Sequence, residues 1–245
     1  MSRTPVALQL YSVRDDTARD FARTVAEVAS IGYTGVELAG YGSLDARGAN
    51  KALRDAGLAV AAMHILRDAL RKDFDRVVEE AQLLSCPHIV CPWLAPEEYV
   101  SRGAVEDIGR EFDEIGERLR KRGLAFSFHN HAAEFRCLEG RPIMAWMLDA
   151  AAPRNVGAEL DVYWAHVAGY APERFLREQG QRVDLLHLKD EKVIGGGPVN
   201  FGPIFATAEA IGAVEWYIVE QENYDDTPLA SVRKCFEQLR KWSKA

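Results

Sequence analysis

The sequence is poor in cysteine and contains no long apolar run. Its 245 residues include four cysteines, Cys86, Cys91, Cys137 and Cys235, whose spacing is not that of a zinc site. A chain of this length can bury a core without disulfide bonds, and free cysteine is among the most buried residue types. We therefore expect free, buried thiols. Because no stretch reaches the roughly 18 apolar residues of a membrane span, a membrane partner is not expected.

Positive charge is also scarce. The formal net charge is -7, and no block of Lys or Arg is long enough to follow a phosphate backbone. Nucleic acid is therefore not an expected partner. The N-terminus lacks the basic-then-apolar pattern of a signal peptide, so we expect a cytoplasmic protein. The composition leaves the oligomeric state open, including a homo-oligomer.

Short apolar runs alternate with segments of helical periodicity along the whole chain. Because the runs begin about every 30 residues, a spacing that suits strand–helix–strand crossovers, they indicate parallel strands. The sequence predicts an α/β fold, a single-domain (β/α)8 barrel over residues 1–245. The predicted strands are 6–11, 34–38, 58–63, 88–91, 124–128, 156–160, 183–188 and 215–219, and the main helical segments are 21–29, 46–56, 74–81, 108–119, 143–151, 204–211 and 229–239.

The last four apolar runs end in metal-ligand residue types. In a strand, residues two apart share a face, and at the carboxyl ends of barrel strands one face points into the mouth. Two residues that are two apart at a strand end can thus both lie near the mouth, at different depths. A mixed oxygen and nitrogen set without thiolate suits one divalent metal ion, Mn²⁺, Mg²⁺, Co²⁺ or Zn²⁺. The four pairs are His129 with His131, Glu159 with Asp161, His187 with Lys189, and Glu220 with Glu222.

Other polar and aromatic residues near strand ends have two interpretations each. Glu37 and His64 could line the pocket or cap loops, and His129 could support a ligand or pack deeper in the barrel. Lys189 could donate to a substrate oxygen or form only an ion pair. The aromatic residues Trp93, Tyr163 and Trp164 could form a wall for the apolar face of a ligand or pack under loops.

The Gly195-Gly196-Gly197 run lies after the seventh predicted strand. It could be a phosphate-binding loop, but it lacks the Gly-Lys-Ser/Thr ending of that motif. A mobile loop is the favoured interpretation.

Six motifs stand in order along the chain: Leu8-Gln9-Leu10-Tyr11-Ser12-Val13-Arg14-Asp15, Gly32-Tyr33-Thr34-Gly35-Val36-Glu37, Phe128-His129-Asn130-His131 with Glu134-Phe135, Leu160-Asp161-Val162-Tyr163-Trp164, Leu186-His187-Leu188-Lys189-Asp190 and Val219-Glu220-Gln221-Glu222. Together they resemble the xylose isomerase-like barrel family, the sugar phosphate isomerase/epimerase group.

The resemblance implies four metal ligands from strands five to eight, which are Glu134, Asp161, His187 and Glu220. It also implies that Glu134 and Glu220 act as the acid/base pair. His131 is an alternative to Glu134 as the ligand, and Trp164 stands where ketose epimerases of the family carry His. The expected substrate-binding residues are His64, His131, Lys189, Trp93 and Trp164.

The first hypothesis is a metal-dependent sugar isomerase or epimerase that works through an enediolate on a small carbohydrate, a keto-sugar or sugar phosphate. The alternative enzyme is a metal-dependent lyase or dehydratase of keto-sugars or inososes, because the same carbanion can eliminate a leaving group. A non-catalytic sugar-binding barrel is a third hypothesis. An abasic-site endonuclease is disfavoured because it needs a basic groove, which a net charge of -7 does not favour.

Overall fold

A computed structural model describes residues 3–245, and within them eight parallel strands close into a barrel. The strands are β1 (Val6–Gln9), β2 (Gly35–Leu38), β3 (Ala59–His64), β4 (His88–Cys91), β5 (Ala125–His129), β6 (Gly157–Asp161), β7 (Val183–Leu188) and β8 (Trp216–Val219). Each strand pairs with its neighbours in sequence, and β8 closes on β1. The predicted (β/α)8 barrel is confirmed. The strands β5 and β6 extend one residue beyond their predicted ends, so His129 and Asp161 are their last residues.

Helices surround the barrel. Polar side chains fix several of their starts: Asp20 accepts from the Arg23 amide, Ser101 from the Ala104 amide and Thr227 from the Ala230 amide. The sequence pattern missed four short helices, Arg14–Arg19, Arg67–Lys72, Val162–Val167 and Pro172–Gln179. The helices are α1 (Arg14–Arg19), α2 (Phe21–Ile31), α3 (Ala46–Ala56), α4 (Arg67–Lys72), α5 (Phe74–Leu83), α6 (Arg102–Arg120), α7 (Ile143–Asp149), α8 (Val162–Val167), α9 (Pro172–Gln179), α10 (Phe201–Ile211) and α11 (Pro228–Lys241).

Within residues 3–245, no helix combines the length and the apolar character needed to cross a membrane. Cys86, Cys91 and Cys235 are free and buried, as predicted. The prediction is wrong for Cys137, which is exposed on a short antiparallel hairpin, Cys137–Leu138 with Arg141–Pro142, after β5.

Alternate strand residues divide the core into two parts. Leu8, Leu186 and Val219 belong to the large core between barrel and helices, whereas Ala7, Leu185 and Ile218 belong to a separate small cluster. That cluster, completed by Ala61, Ala62 and Val90, fills the barrel interior. Two residues further along the same faces stand Gln9 and His187, so a polar layer lies on top of the apolar one.

A second polar cluster lies near the amino ends of the strands. The register between β6 and β7 shifts by one residue, which leaves Asp184 as the extra residue of a β-bulge. Its carboxylate accepts from the Ser127 hydroxyl at 2.8 Å and lies 3.5 Å from His88 Nε2. A Cβ on Gly157 would overlap both Asp184 and Ser127, so glycine makes this contact possible. Burial raises the pKa of Asp184 to about 6.

We predict that Asp184→Asn stabilises the protein at alkaline pH. Because the pKa of Asp184 is about 6 in the folded state and 3.8 ordinarily, the wild type loses stability as the pH rises between these values. The variant lacks this loss and should be more stable by about 1–3 kcal/mol at pH 8, with a smaller gain at pH 5. Urea unfolding at both pH values measures the difference. The exposed Asp107→Asn serves as the control, and an equal gain at both pH values would contradict the prediction.

Candidate active site

Four ligand-type side chains meet at the carboxyl ends of β5 to β8. His129, Asp161, His187 and Glu220 each offer an atom, and these atoms lie within 4.8 Å of one another. Three of the residues end or belong to strands, and Glu220 follows β8 directly. The strand register brings Asp161 beside His187. All four side chains are buried, so the group is a closed, preformed cluster.

Unpartnered atoms within this group suit a cation. Asp161 caps α8 through Oδ1, which accepts from the Trp164 amide at 2.8 Å, but its buried Oδ2 has no partner. His187 Nδ1 also makes no hydrogen bond, although Glu220 Oε2 lies 3.4 Å away. Burial, with Glu220 nearby, raises the pKa of Asp161 to about 7 against the effect of Lys189. The oxygen and nitrogen donors therefore fit a divalent metal ion.

A second layer of polar groups lies directly below. Glu159 Oε2 is 2.9 Å from His64 Nε2, 3.1 Å from His129 Nδ1 and 3.3 Å from His187 Nε2. Glu37 Oε2 lies 2.7 Å from His187 Nε2 and 3.1 Å from His64 Nε2. Both carboxylates are fully buried. His129 and His187 thus belong to both layers.

The deeper carboxylates are ionised. Burial alone would raise their pKa values, but the neighbouring imidazoles outweigh it and lower the pKa of Glu159 to about 2 and that of Glu37 still further. In return, Glu37 and Glu159 overcome the effect of burial and raise the pKa of His64 to about 10. Burial lowers the pKa of His129 well below its ordinary range, so this ring is neutral.

Lys189 lies beside the upper layer rather than in open solvent. Its Nζ is 3.2 Å from Glu220 Oε2, also contacts Glu222, and stands 5.0 Å from the centre of the Trp164 ring. The side chain is buried, and the two carboxylates keep its pKa above the ordinary value despite that burial. The charge of Lys189 is therefore matched inside the protein.

Glu134 and His131 occupy the loop that follows β5. The Glu134 carboxylate accepts from the Tyr99 hydroxyl at 2.5 Å and from the His131 amide at 2.7 Å, and it does not belong to the four-residue group. Burial raises the pKa of Glu134. The His131 ring stands 5.0 Å from that of His129 and 5.6 Å from that of Trp164, and its Nδ1 is unpartnered. Burial lowers the pKa of His131 to about 4, so it is neutral at pH 7.

A cavity of about 480 Å³ opens above the cluster and has two unlike walls. One wall is mostly apolar, with Trp93 half exposed, and the other carries carboxylates and imidazoles. Trp164 and Lys189, which were also expected to bind substrate, are not part of the lining; the Trp164 ring lies 5.6 Å from the lining residue His131 and Lys189 Nζ lies 3.2 Å from the lining residue Glu220. The apolar wall is Tyr11, Ala39, Leu66, Pro92 and Trp93, and the polar wall is His64, His129, His131, Glu220 and Glu222.

Comparison with known proteins agrees with this barrel fold. The sequence profile of the xylose isomerase-like TIM barrel family matches residues 25–242. The chain belongs to this family. No curated protein matches it by sequence at a significant level.

Solved structures of the family superpose over nearly the whole chain. A sugar phosphate isomerase/epimerase from Parabacteroides distasonis is 25% identical, with a TM-score of 0.89 over 97% of this chain and 98% of that one. The probable 3-DHS dehydratase of petrobactin synthesis from Bacillus anthracis is 13% identical, with a TM-score of 0.75 over 96% and 98%. A D-psicose 3-epimerase studied with D-fructose is 15% identical, with a TM-score of 0.71 over 92% and 94%. At these two lower identities the likeness concerns the fold.

The structure brings most of the expected xylose isomerase-like site together. Asp161, His187 and Glu220 meet, while Trp93, His64 and His131 line the cavity. Glu134, which the resemblance implied as a ligand and catalytic group, lies outside the four-residue group, and His129 stands in that group instead. Sequence reasoning paired Glu159 with Asp161 near the barrel mouth but gave it no separate role, and it did not single out Tyr99 or Asp190. The signal for Glu159 was its placement two residues before Asp161.

The glycine-rich loop of this family member surrounds one of its own carboxylates. Asp190 accepts from the amides of Gly195 at 3.0 Å and Gly197 at 3.1 Å, and also from those of Glu191 and Val199. The Gly196 amide donates to the Val193 carbonyl. A Cβ on Gly197 would overlap the Asp190 carboxylate. Since all three glycine amides are paired within the protein, the phosphate-loop interpretation is wrong.

We predict that Asp190→Ala loosens this loop. The substitution leaves buried or half-buried amides without their acceptor, which should lower stability by about 1–3 kcal/mol. Trypsin should then cleave after Lys192 faster than in the wild type. Glu191→Ala, which changes the exposed neighbouring side chain, is the control. Equal cleavage rates in Asp190→Ala and the wild type would contradict this assignment.

Proposed function

We propose that the protein is a divalent-metal-dependent isomerase or epimerase of unphosphorylated keto-sugars. One observation carries the proposal: four buried ligand groups converge under a cavity, and two of their atoms, Asp161 Oδ2 and His187 Nδ1, lack partners. The ligand set proposed is His129, Asp161, His187 and Glu220. The family includes proteins named as sugar isomerases and epimerases, which supports this reaction class.

A divalent ion would polarise adjacent carbonyl and hydroxyl oxygens of a sugar and so stabilise the enediolate formed on proton loss. The protein supplies the proton acceptors. His131 is neutral and lines the cavity, so its ring can accept a proton from the substrate. Glu220 lines the same cavity and can serve as the second proton carrier. Lys189, held against Glu220 at 3.2 Å, fixes the position of that carboxylate.

The charges around the cavity favour a neutral substrate. Two carboxylates, Glu220 and Glu222, line it, and no Lys or Arg belongs to the described lining. Lys189 is already paired, and the glycine amides bind Asp190 instead of a phosphate. The apolar wall with Trp93 suits the carbon face of a sugar ring. The net charge of -7 likewise favours a small neutral carbohydrate over nucleic acid.

A lyase or dehydratase is the second candidate. The same enediolate expels a leaving group that lies β to the carbanion, and the relative from Bacillus anthracis is named a probable dehydratase. The ligand cluster serves both reactions, so the position of the leaving group in the substrate decides between them. A non-catalytic sugar-binding barrel would show no exchange of a substrate C–H proton.

We predict that His129→Ala weakens Mn²⁺ binding more than Glu134→Ala does. Removal of a ligand should reduce affinity by more than the roughly 10–100-fold typical of an outer partner. Glu134 contacts Tyr99 and the loop backbone, so its removal should leave the affinity within a few-fold of the wild type. Titration calorimetry measures both, with Asp161→Ala as the reference for a lost ligand. The reverse ranking would restore Glu134 as the fourth ligand.

We predict that free ketoses, but not their phosphates, exchange a proton with D₂O when Mn²⁺ is supplied. The carboxylates at the cavity repel a phosphate, and no unpaired cation of the described lining binds one. Mass spectrometry of the recovered sugars detects incorporation, and product analysis separates epimers from dehydrated products. Exchange confined to phosphorylated ketoses would overturn the choice of substrate. Absence of exchange with every sugar, despite metal binding, would favour a binding protein.

A further inference from the structure

We propose that Glu37 and Glu159 are positioning residues that orient His187 and His129 toward the metal ion. Glu37 accepts the N–H of His187, and Glu159 accepts that of His129. In each ring the opposite nitrogen is then free to bind the metal ion. This inference rests on the proposed function, because it concerns the same metal site. Neither carboxylate is part of the ligand set proposed above.

His187 bridges the two polar layers. Its Nε2 lies 2.7 Å from Glu37 Oε2, on the lower side, and its unpartnered Nδ1 faces Glu220 on the upper side. A neutral imidazole carries one N–H. When Nδ1 binds a cation, the ring proton must be on Nε2, where Glu37 accepts it. Glu37 thus selects the tautomer that presents Nδ1 to the metal.

His129 shows the opposite arrangement of nitrogens. Its Nδ1 is 3.1 Å from Glu159 Oε2, so Nδ1 carries the proton and Nε2 remains for the metal. The strand register explains the contact, because His129 and Glu159 are direct partners across β5 and β6. Two imidazoles therefore reach one site through different nitrogens, each held by its own carboxylate.

Two further side chains complete the lower layer. Gln9 Nε2 donates to Glu37 Oε2 at 2.6 Å, and His64 Nε2 lies within reach of both carboxylates. Four N–H groups thus meet one oxygen of each carboxylate, Glu37 Oε2 and Glu159 Oε2, while the buried Oε1 atoms of both residues have no partner. A competing arrangement would place a second metal ion among His64, His129, Glu159 and His187, whose atoms also lie within 4.8 Å of one another. A second ion would bind the lone pairs of these ring nitrogens, and the nitrogens could then not donate hydrogen bonds to the carboxylates.

Metal titration and histidine NMR on the full chain test the proposal. Glu37→Gln and Glu159→Gln keep the size of each side chain but remove its charge, and each should weaken Zn²⁺ binding by about 10–100-fold. The control is Asp184→Asn, a half-buried carboxylate at the other end of the barrel whose hydrogen-bond partner is Ser127 and not one of the proposed ligands. It should leave the affinity unchanged. Thermal unfolding identifies any variant that fails to fold.

A nitrogen-15 NMR spectrum of the Zn²⁺-loaded wild type tests the two histidine tautomers without any substitution. We expect one Zn²⁺ per chain, with the proton of His187 on Nε2 and that of His129 on Nδ1. The opposite tautomers, unchanged affinity in both folded Gln variants, or two ions per chain would each overturn the positioning role. A wild type that binds no Zn²⁺ or Mn²⁺ would instead overturn the proposed function, so the two failures are distinguishable.

Discussion

Two ionised carboxylates buried inside the barrel are the constraint on which the site depends. Glu37 and Glu159 have no exposed surface, and a buried charge without partners costs several kcal/mol. The barrel meets this cost with imidazole N–H groups from β3, β5 and β7 and with the Gln9 amide from β1. If those imidazoles moved away, the buried charge of each carboxylate would be left without a partner. The orientation of each ring, and so the position of its other nitrogen, is therefore fixed as well. The lower layer, around Glu37 and Glu159, therefore fixes the positions of His129 and His187 in the upper layer.

Strand alternation explains why much of this arrangement could be read from the sequence. Period-two spacing places Glu159 and Asp161, or His187 and Lys189, on one face of a strand. Because the strand runs toward the mouth of the barrel, the first residue of each pair lies deeper than the second. The apolar runs and their regular recurrence were enough to predict the fold. Strand ends alone placed the pairs that contain Asp161, His187 and Glu220 at one rim, and the family resemblance implied these three as ligands. The structure brings the three side chains together.

The remaining features depend on contacts distant in the sequence. Glu134 turns toward Tyr99, 35 residues earlier in the chain, and nothing near Glu134 in the sequence indicates that partner. Register shifts between β2 and β3 and between β6 and β7 change which residues oppose one another, and an apolar pattern does not show them. The glycine-rich loop resembled an anion site for a sound reason: its amides do bind a carboxylate, but one that belongs to Asp190.

At the mouth of the barrel, the proposed metal ligands and the apolar wall of the cavity come from different strands. The proposed ligands come from β5 to β8, whereas the apolar wall comes from the segments after β1 to β4, where Tyr11, Leu66 and Trp93 stand. The ligand half is tied to a buried charge layer, so a substitution there disturbs several partners at once. The apolar half is partly exposed, and its side chains can change without breaking an ion pair. A barrel divided in this way can keep one cluster of ligand-type residues while its apolar wall changes to fit a different substrate.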